Sequence, residues 1–253
     1  MAPDAEPKLW LGGALRLFQP GRGAHRAGTD AVLLGSLLAP PDDAVICDIG
    51  ASTGAVGLAV ARRAPGARVI LVERDPDLAA CARRNADLNG LGSRTLVLTA
   101  DVLAPGAARR DAGLVPNLAD IVLTNPPFFE ERRYRASPIA GKARAHGFVE
   151  GGLEAWLRTC VDILRPGGRI GLIHRADALP ACLDALAGRF GGISVRPVHA
   201  KADAAAIRVL ITAVKGSRAP LNLLPALVLH DATGRFTPHV QALNAGRAWI
   251  GES

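Results

Sequence analysis

The chain has 253 residues, 49% apolar and 21% charged, which fits one sizeable globular domain with short additions and leaves too little length for two full cores. No stretch approaches the run of about 18 or more uncharged apolar residues that a membrane helix needs, and the opening MAPDAEPKLW has neither segment of a signal peptide, so a cytoplasmic location is expected. A net charge of +7 points to a polyanionic partner, although 26 of the 30 basic residues are arginine and a general compositional drift would give the same balance.

Residues 9–19 pattern as a β-hairpin around Gly12 and Gly13, and residues 30–38 as a short helix with Thr29 available as its N-cap. Apolar runs over 45–48 and 68–73 each end in an acid, and each leads into a helical stretch, 54–63 and 77–89. A third run, 95–99, passes through Asp101 into a stretch rich in proline, glycine and alanine; a fourth, 120–124, stops at Asn125-Pro126-Pro127, where two prolines end the ladder. The spacing predicts a helix over 152–164 closed by Arg165-Pro166-Gly167-Gly168, then a strand over 169–174 and a helix over 178–190. Two β-rich runs, 193–199 and 207–214, follow one another directly, and segments 226–230 and 235–237 flank the turn Asp231-Ala232-Thr233-Gly234.

Seven strands alternating with helices until the last pair predict an α/β fold: a mostly parallel sheet with one antiparallel strand near the C-terminus and helices on both faces. Such sheets bind ligands at the carboxyl ends of their strands, beside the switch point. The expected division is an N-terminal hairpin-and-helix extension (1–40), a catalytic domain (41–216) and a C-terminal extension packed on it (217–253).

The stretch DIGASTGAVG, residues 48–57, is a glycine-rich turn between strand and helix with Glu73 beyond it, which first suggests a dinucleotide. Asp48 would face a pyrophosphate with like charge, however, and no basic residue follows until Arg62. S-adenosylmethionine, cationic at sulfur and nitrogen and free of phosphate, suits the acids better. Glu73 is placed to accept from a ribose diol and Asp101 from an adenine amino group; the competing reading is that such acids cap helices. At 124–129 the order Thr-Asn-Pro-Pro-Phe-Phe is more specific. The Asn125 side-chain carbonyl and the Pro126 backbone carbonyl can accept both protons of a planar NH2 group, and Phe128 can stack on its ring. No strong base is required for an in-line displacement of this kind, and a nucleobase must leave its stack to reach such a turn.

Segment 131–146 holds Arg132, Arg133, Tyr134, Arg135, Lys142, Arg144 and His146 with Glu131 as its acid, a pattern that favours nucleic-acid contact over a merely solvated loop. The six histidines show no ligand spacing with one another or with cysteine, so no metal site is expected. Cys47, Cys81, Cys160 and Cys182 read as reduced core thiols, and no Ser/His/Asp set stands out.

On these motifs the chain resembles class I S-adenosylmethionine-dependent methyltransferases of the amino-methylating kind, whose signature is Asn/Asp-Pro-Pro-Phe/Tyr. It is most similar to the bacterial tRNA adenine-N6 methyltransferases that act on valine tRNA. Residues 28–35 (GTDAVLLG), Ala143-Arg144-Ala145-His146 and the tail from Leu229-His230-Asp231 to Arg235-Phe236-Thr237-Pro238 carry the narrower likeness. The resemblance implies a Rossmann-like sheet, a tRNA partner and no membrane. It also implies that Asp48, Gly50 and Gly54 build the cofactor loop, with Glu73 on the ribose and Asp101 on the adenine. Arg26, Thr29 and Asp30 would border the methionine end, while Asn125, Pro126, Pro127 and Phe128 hold the substrate nitrogen. Arg144 and His146 either order a loop over the site or contact RNA. Ser52 departs from the family's usual glycine: with a left-handed backbone it costs about 1–2 kcal/mol, and with an ordinary φ its hydroxyl is a candidate cofactor contact. The signature is shared with DNA adenine, ribosomal guanine and release-factor glutamine methyltransferases. Competing readings are a protein N5-glutamine methyltransferase, a non-catalytic binding protein and, more remotely, a nicotinamide dehydrogenase.

Overall fold

The computed structural model describes residues 6–20, 27–127 and 152–252. Strands β1 (Lys8–Trp10) and β2 (Leu15–Leu17) pair antiparallel across a 3-10 turn at Leu11–Gly13, which is the hairpin expected from the glycine pair. Helix α1 (Thr29–Gly35) is shorter than expected and begins on Thr29 itself. Gly28 is its N-cap, so the Thr29 hydroxyl does not cap the helix; at the other end Pro40 and Pro41 oppose helical continuation through the buried Leu37 and Leu38.

The alternation then runs β3 (Val45–Ile49), α2 (Ala55–Arg63), β4 (Arg68–Glu73), α3 (Pro76–Leu88), β5 (Thr95–Thr99), α4 (Gly106–Asp111) and β6 (Ala119–Thr124). Helix α4 lies in the proline- and alanine-rich stretch that had suggested no element. Helix α5 (Gly152–Ile163) passes directly into β7 (Leu164–Arg175), where a turn followed by a later strand was expected. Leu164 already pairs with Ala119, and the register shift between Ala119 and Ile121 absorbs the Arg165–Gly168 segment as a bulge. Helix α6 (Leu179–Leu186) stops short of the expected 190, because Gly188 takes a φ of +72° and Phe190 is already paired in the next strand. Strands β8 (Phe190–His199) and β9 (Ala206–Lys215) follow, then the two-residue strands β10 (Asn222–Leu223) and β11 (Leu227–Val228), and helix α7 (Pro238–Asn244), capped by Thr237.

The main sheet has the order β10-β8-β9-β7-β6-β3-β4-β5, with β11 also on β8. Strands β3 to β7 run parallel, and β9 is antiparallel to both β7 and β8, as the adjacent final runs implied. Alternate residues separate the two apolar layers: Ile46, Val69, Leu71, Ile121 and Leu123 pack under α1, α2, α3 and α7, while Ile70, Val72, Val122, Ile170 and Leu172 pack under α5 and α6. All four cysteines are free, and burial pushes Cys160 and Cys182 up to about 12, so neither is a thiolate at neutral pH.

Two asparagines one turn apart, Asn85 of α3 and its C-cap Asn89, hold the hairpin against this body. Asn89 accepts from Arg16 N (2.9 Å) and donates to Arg16 O (2.8 Å); Asn85 accepts from Phe18 N (2.7 Å) and donates to Phe18 O (3.0 Å). Each amide thus pairs with the strand as a backbone neighbour would.

Candidate active site at the carboxyl edge of the sheet

The order reverses at β3, which pairs with β4 on one side and β6 on the other, and the predicted residues gather at the carboxyl ends of these strands. The loop after β3 turns sharply: Gly50, Ser52 and Gly54 have φ of +77°, +50° and +85°, and the amides of Gly50 and Ala51 both donate to Val72 O at 2.9 Å. A side chain at Gly54 would stand 2.8 Å from Leu71 Cδ1, and one at Gly50 would press on Trp156 at 3.2 Å. Glycine is needed at these two positions for both reasons.

Asp48 shares its side of β3 with Ile46, and that side faces α2. Its carboxylate is 2% exposed and accepts from Gly57 N at 2.9 Å, so it caps the first turn of α2 beneath the loop rather than lining an open pocket. Burial raises its pKa to about 7, against the lowering effect of the Gly57 N–H, and the nearby Glu73 charge adds to the rise. Glu73, 8% exposed at the tip of β4, accepts from Ser52 N (2.8 Å) and Asp75 N (2.9 Å) through its two oxygens. Ser52 therefore takes part through its backbone, in the left-handed conformation that glycine would adopt without strain.

At the tip of β6, buried Thr124 donates to Ile49 O (3.0 Å) and accepts from Trp156 Nε1 (2.9 Å). This ties the Asn125-Pro126-Pro127 turn to the glycine loop and to α5. Asn125 is half-buried, Pro126 buried and Pro127 exposed. Asp101, beyond β5, is exposed and accepts from Leu103 N at 2.8 Å, closing a local turn. Thr29 and Asp30 open α1, and Asp30 is ion-paired with Arg208 of β9 at 2.9 Å. Arg26, Phe128 and the basic segment with Arg132, Arg133, Tyr134, Arg135, Lys142, Arg144 and His146 lie outside the described residues. Among the described residues no group of histidine, cysteine or acid could hold a metal, and no helix is long and apolar enough to cross a membrane.

Sequence reasoning missed Gly57, Trp156 and Asn85. Gly57 lies within the quoted loop stretch; a Cβ there would fall 2.3 Å from Leu71 Cδ2, so its absence lets α2 approach the sheet. Asn85, fully buried, donates to Thr53 O of the loop at 2.9 Å as well as to Phe18. Its signal was a polar residue in register with the buried Ala79, Ala82 and Ala86 of α3. Trp156, on α5, carried no local signal, because its partner Thr124 lies at the end of β6.

Among known proteins, the methyltransferase small domain family matches residues 26–194. A tRNA1(Val) (adenine(37)-N6)-methyltransferase of Porphyromonas gingivalis is 30% identical over 227 residues, 85% of each chain. A release factor glutamine methyltransferase of Mycolicibacterium smegmatis is 35% identical over 62% of this chain and 55% of its own length. The solved structure of a predicted O-methyltransferase from Agrobacterium tumefaciens is 36% identical, with a TM-score of 0.75, over 87% of this chain and 98% of that one. The fold is that of class I methyltransferases, with β9 as the expected antiparallel strand. With its glycine loop and Asn-Pro-Pro turn on the same sheet edge, the chain belongs to the methyltransferase small domain family.

Proposed function

We propose that this protein transfers a methyl group from S-adenosylmethionine to the exocyclic N6 amino group of an adenine in tRNA. The observation that carries the reading is the Asn125-Pro126-Pro127 turn, pinned through Thr124 beside a glycine loop that contains no basic side chain. The loop fits a cofactor without phosphate: the left-handed Gly50 and Gly54 let it turn tightly against Trp156 and Leu71, and each Glu73 oxygen retains a second lone pair for a ribose hydroxyl after accepting from Ser52 or Asp75. Asp101 would take the adenine amino group, and Arg26, Thr29 and Asp30 the methionine end, with Arg208 holding Asp30 in place. Asp48 acts one step back, fixing α2 and hence the loop.

When bound, S-adenosylmethionine supplies an electrophilic methyl on a sulfonium. The work of the chain is orientation: the Asn125 side-chain carbonyl and the Pro126 carbonyl accept from the amino group and aim its lone pair, and Phe128 stacks on the base. Segment 131–146 contacts the RNA backbone, and a tRNA substrate places the enzyme in the cytoplasm. The Porphyromonas gingivalis tRNA-acting relative, matched over 85% of its length against 55% for the glutamine methyltransferase of Mycolicibacterium smegmatis, supports this substrate above the glutamine amide.

The test is labelled-methyl transfer to total tRNA followed by nucleoside digestion. N6-methyladenosine is expected, and Asn125→Ala should lower turnover at least about a hundredfold while cofactor binding persists. Label on a release-factor glutamine, or on a hydroxyl, with none in tRNA would overturn the substrate. An Asn125→Ala enzyme of undiminished turnover would overturn the catalytic assignment.

A further inference from the structure

At the opposite end of α2 from the glycine loop lies an open cavity of about 430 Å³, lined by Ala14, Arg62, Arg63, Gly246, Arg247 and Trp249. Three segments distant in sequence build it: the hairpin, the C-terminus of α2 and the stretch after α7. No acid lines it. Arg63 is fixed by Gly35 O (3.2 Å), Ser36 Oγ (2.9 Å) and Ala248 O, and its guanidinium lies 3.6 Å over the Trp249 ring. Arginines at a helix C-terminus ordinarily answer the helix dipole. Here Arg94 already serves that end, donating to the carbonyls of Ala61, Ala64 and Ala67. Arg62 and Arg247 are exposed, and neither guanidinium has a hydrogen-bond or ion-pair partner among the described residues. Two unpaired guanidiniums and a third held flat on an indole make a site for phosphate, since a guanidinium binds phosphate through paired N–H donors.

We propose that this cavity is a second RNA contact, taking backbone phosphates of the same tRNA at the edge of the sheet away from the methylation site. The assignment rests on the tRNA reading above. Helix α2 spans about 13 Å, far less than the length of a tRNA, so one RNA reaches both ends.

The experiment compares wild type, Arg62→Ala/Arg247→Ala and Arg62→Lys/Arg247→Lys in tRNA binding across a salt series, in methyl transfer, and in calorimetry with inorganic pyrophosphate. Expected for the alanine pair are a roughly tenfold weaker Kd, a salt slope shallower by about 2, a raised KM for tRNA and an unchanged kcat at saturation. The lysine pair should keep the wild-type slope. If wild type methylates tRNA and the alanine pair matches it in Kd and slope, the cavity assignment alone falls. Loss of pyrophosphate binding without any effect on tRNA would mark a small free phosphate ligand and overturn the RNA contact. A wild-type protein that neither binds nor methylates tRNA would remove the reading of function, and this assignment with it.

Discussion

Ser52 sits at φ +50° between two left-handed glycines, and among the described residues only its amide is bonded, to Glu73. An L side chain in that region costs about 1–2 kcal/mol, of which the greater chain freedom of glycine returns about 0.5–1 kcal/mol. Ser52→Gly is therefore expected to gain up to about 1 kcal/mol, raising Tm by about 2–4 °C, with cofactor affinity kept or tightened; a clearly weaker calorimetric Kd would show that the hydroxyl is itself a ligand. Asp48 gives a pH prediction. Its pKa, near 3.9 when unfolded, is about 7 when folded, so between these values the folded protein holds more protons than the unfolded one. That contribution to stability is full below about pH 4, declines as pH rises towards 7, and is flat above. Asp48→Asn keeps an oxygen for Gly57 N and lacks the slope. Urea midpoints of the variant should gain on wild type as pH rises through this window, and parallel curves would refute the assignment.

Helix α3 couples the hairpin to the cofactor loop, and its two asparagines divide the task unequally. Asn85→Ala would strand Phe18 N–H and Thr53 O inside the protein and leave Phe18 O with the weak Cys81 thiol donor at 3.5 Å, a loss of about 3 kcal/mol in sum and roughly 6–12 °C in Tm. Asn89→Ala, whose bonds to Arg16 are exposed, should cost less than about 1 kcal/mol; equal losses in the two variants would contradict this division. Strands β3, β4 and β6 were legible in the sequence because parallel strands buried on both faces are short apolar runs, here closed by acids or by Asn-Pro-Pro; β5, at the sheet edge with Leu96 exposed, is still a short apolar run leading to Asp101. The bulge in β7 was not, since Pro166-Gly167-Gly168 reads locally as a stop and only pairing with β6 carries the strand across it. Helix α7 went unread although Thr237-Pro238 signals its start, and β10 is a polar and an apolar residue whose pairing depends wholly on β8. At the site, residue types marked the right strand ends, but the bonds made by Asp48 and Ser52 follow from side-of-strand parity and loop φ, which local composition does not encode.

Over the whole molecule, a charge of +7 set against a phosphate polymer gives binding that salt weakens. Methyl transfer at subsaturating tRNA should fall steeply between 50 and 200 mM salt while cofactor affinity hardly changes; a flat salt profile would separate the charge from the substrate. The cofactor edge, the asparagine-held hairpin and the arginine-lined cavity are joined through one apolar layer under α1, α2, α3 and α7, so both ends of α2 move with the same core. The far edge of the sheet has a different consequence. Beyond β8, the strands β10 and β11 are two residues each, run parallel to it, and are separated by Leu224-Pro225-Ala226. A neighbouring copy meets there no more than a short run of backbone donors, broken by a proline with none, so this edge offers a poor template for intermolecular strand addition.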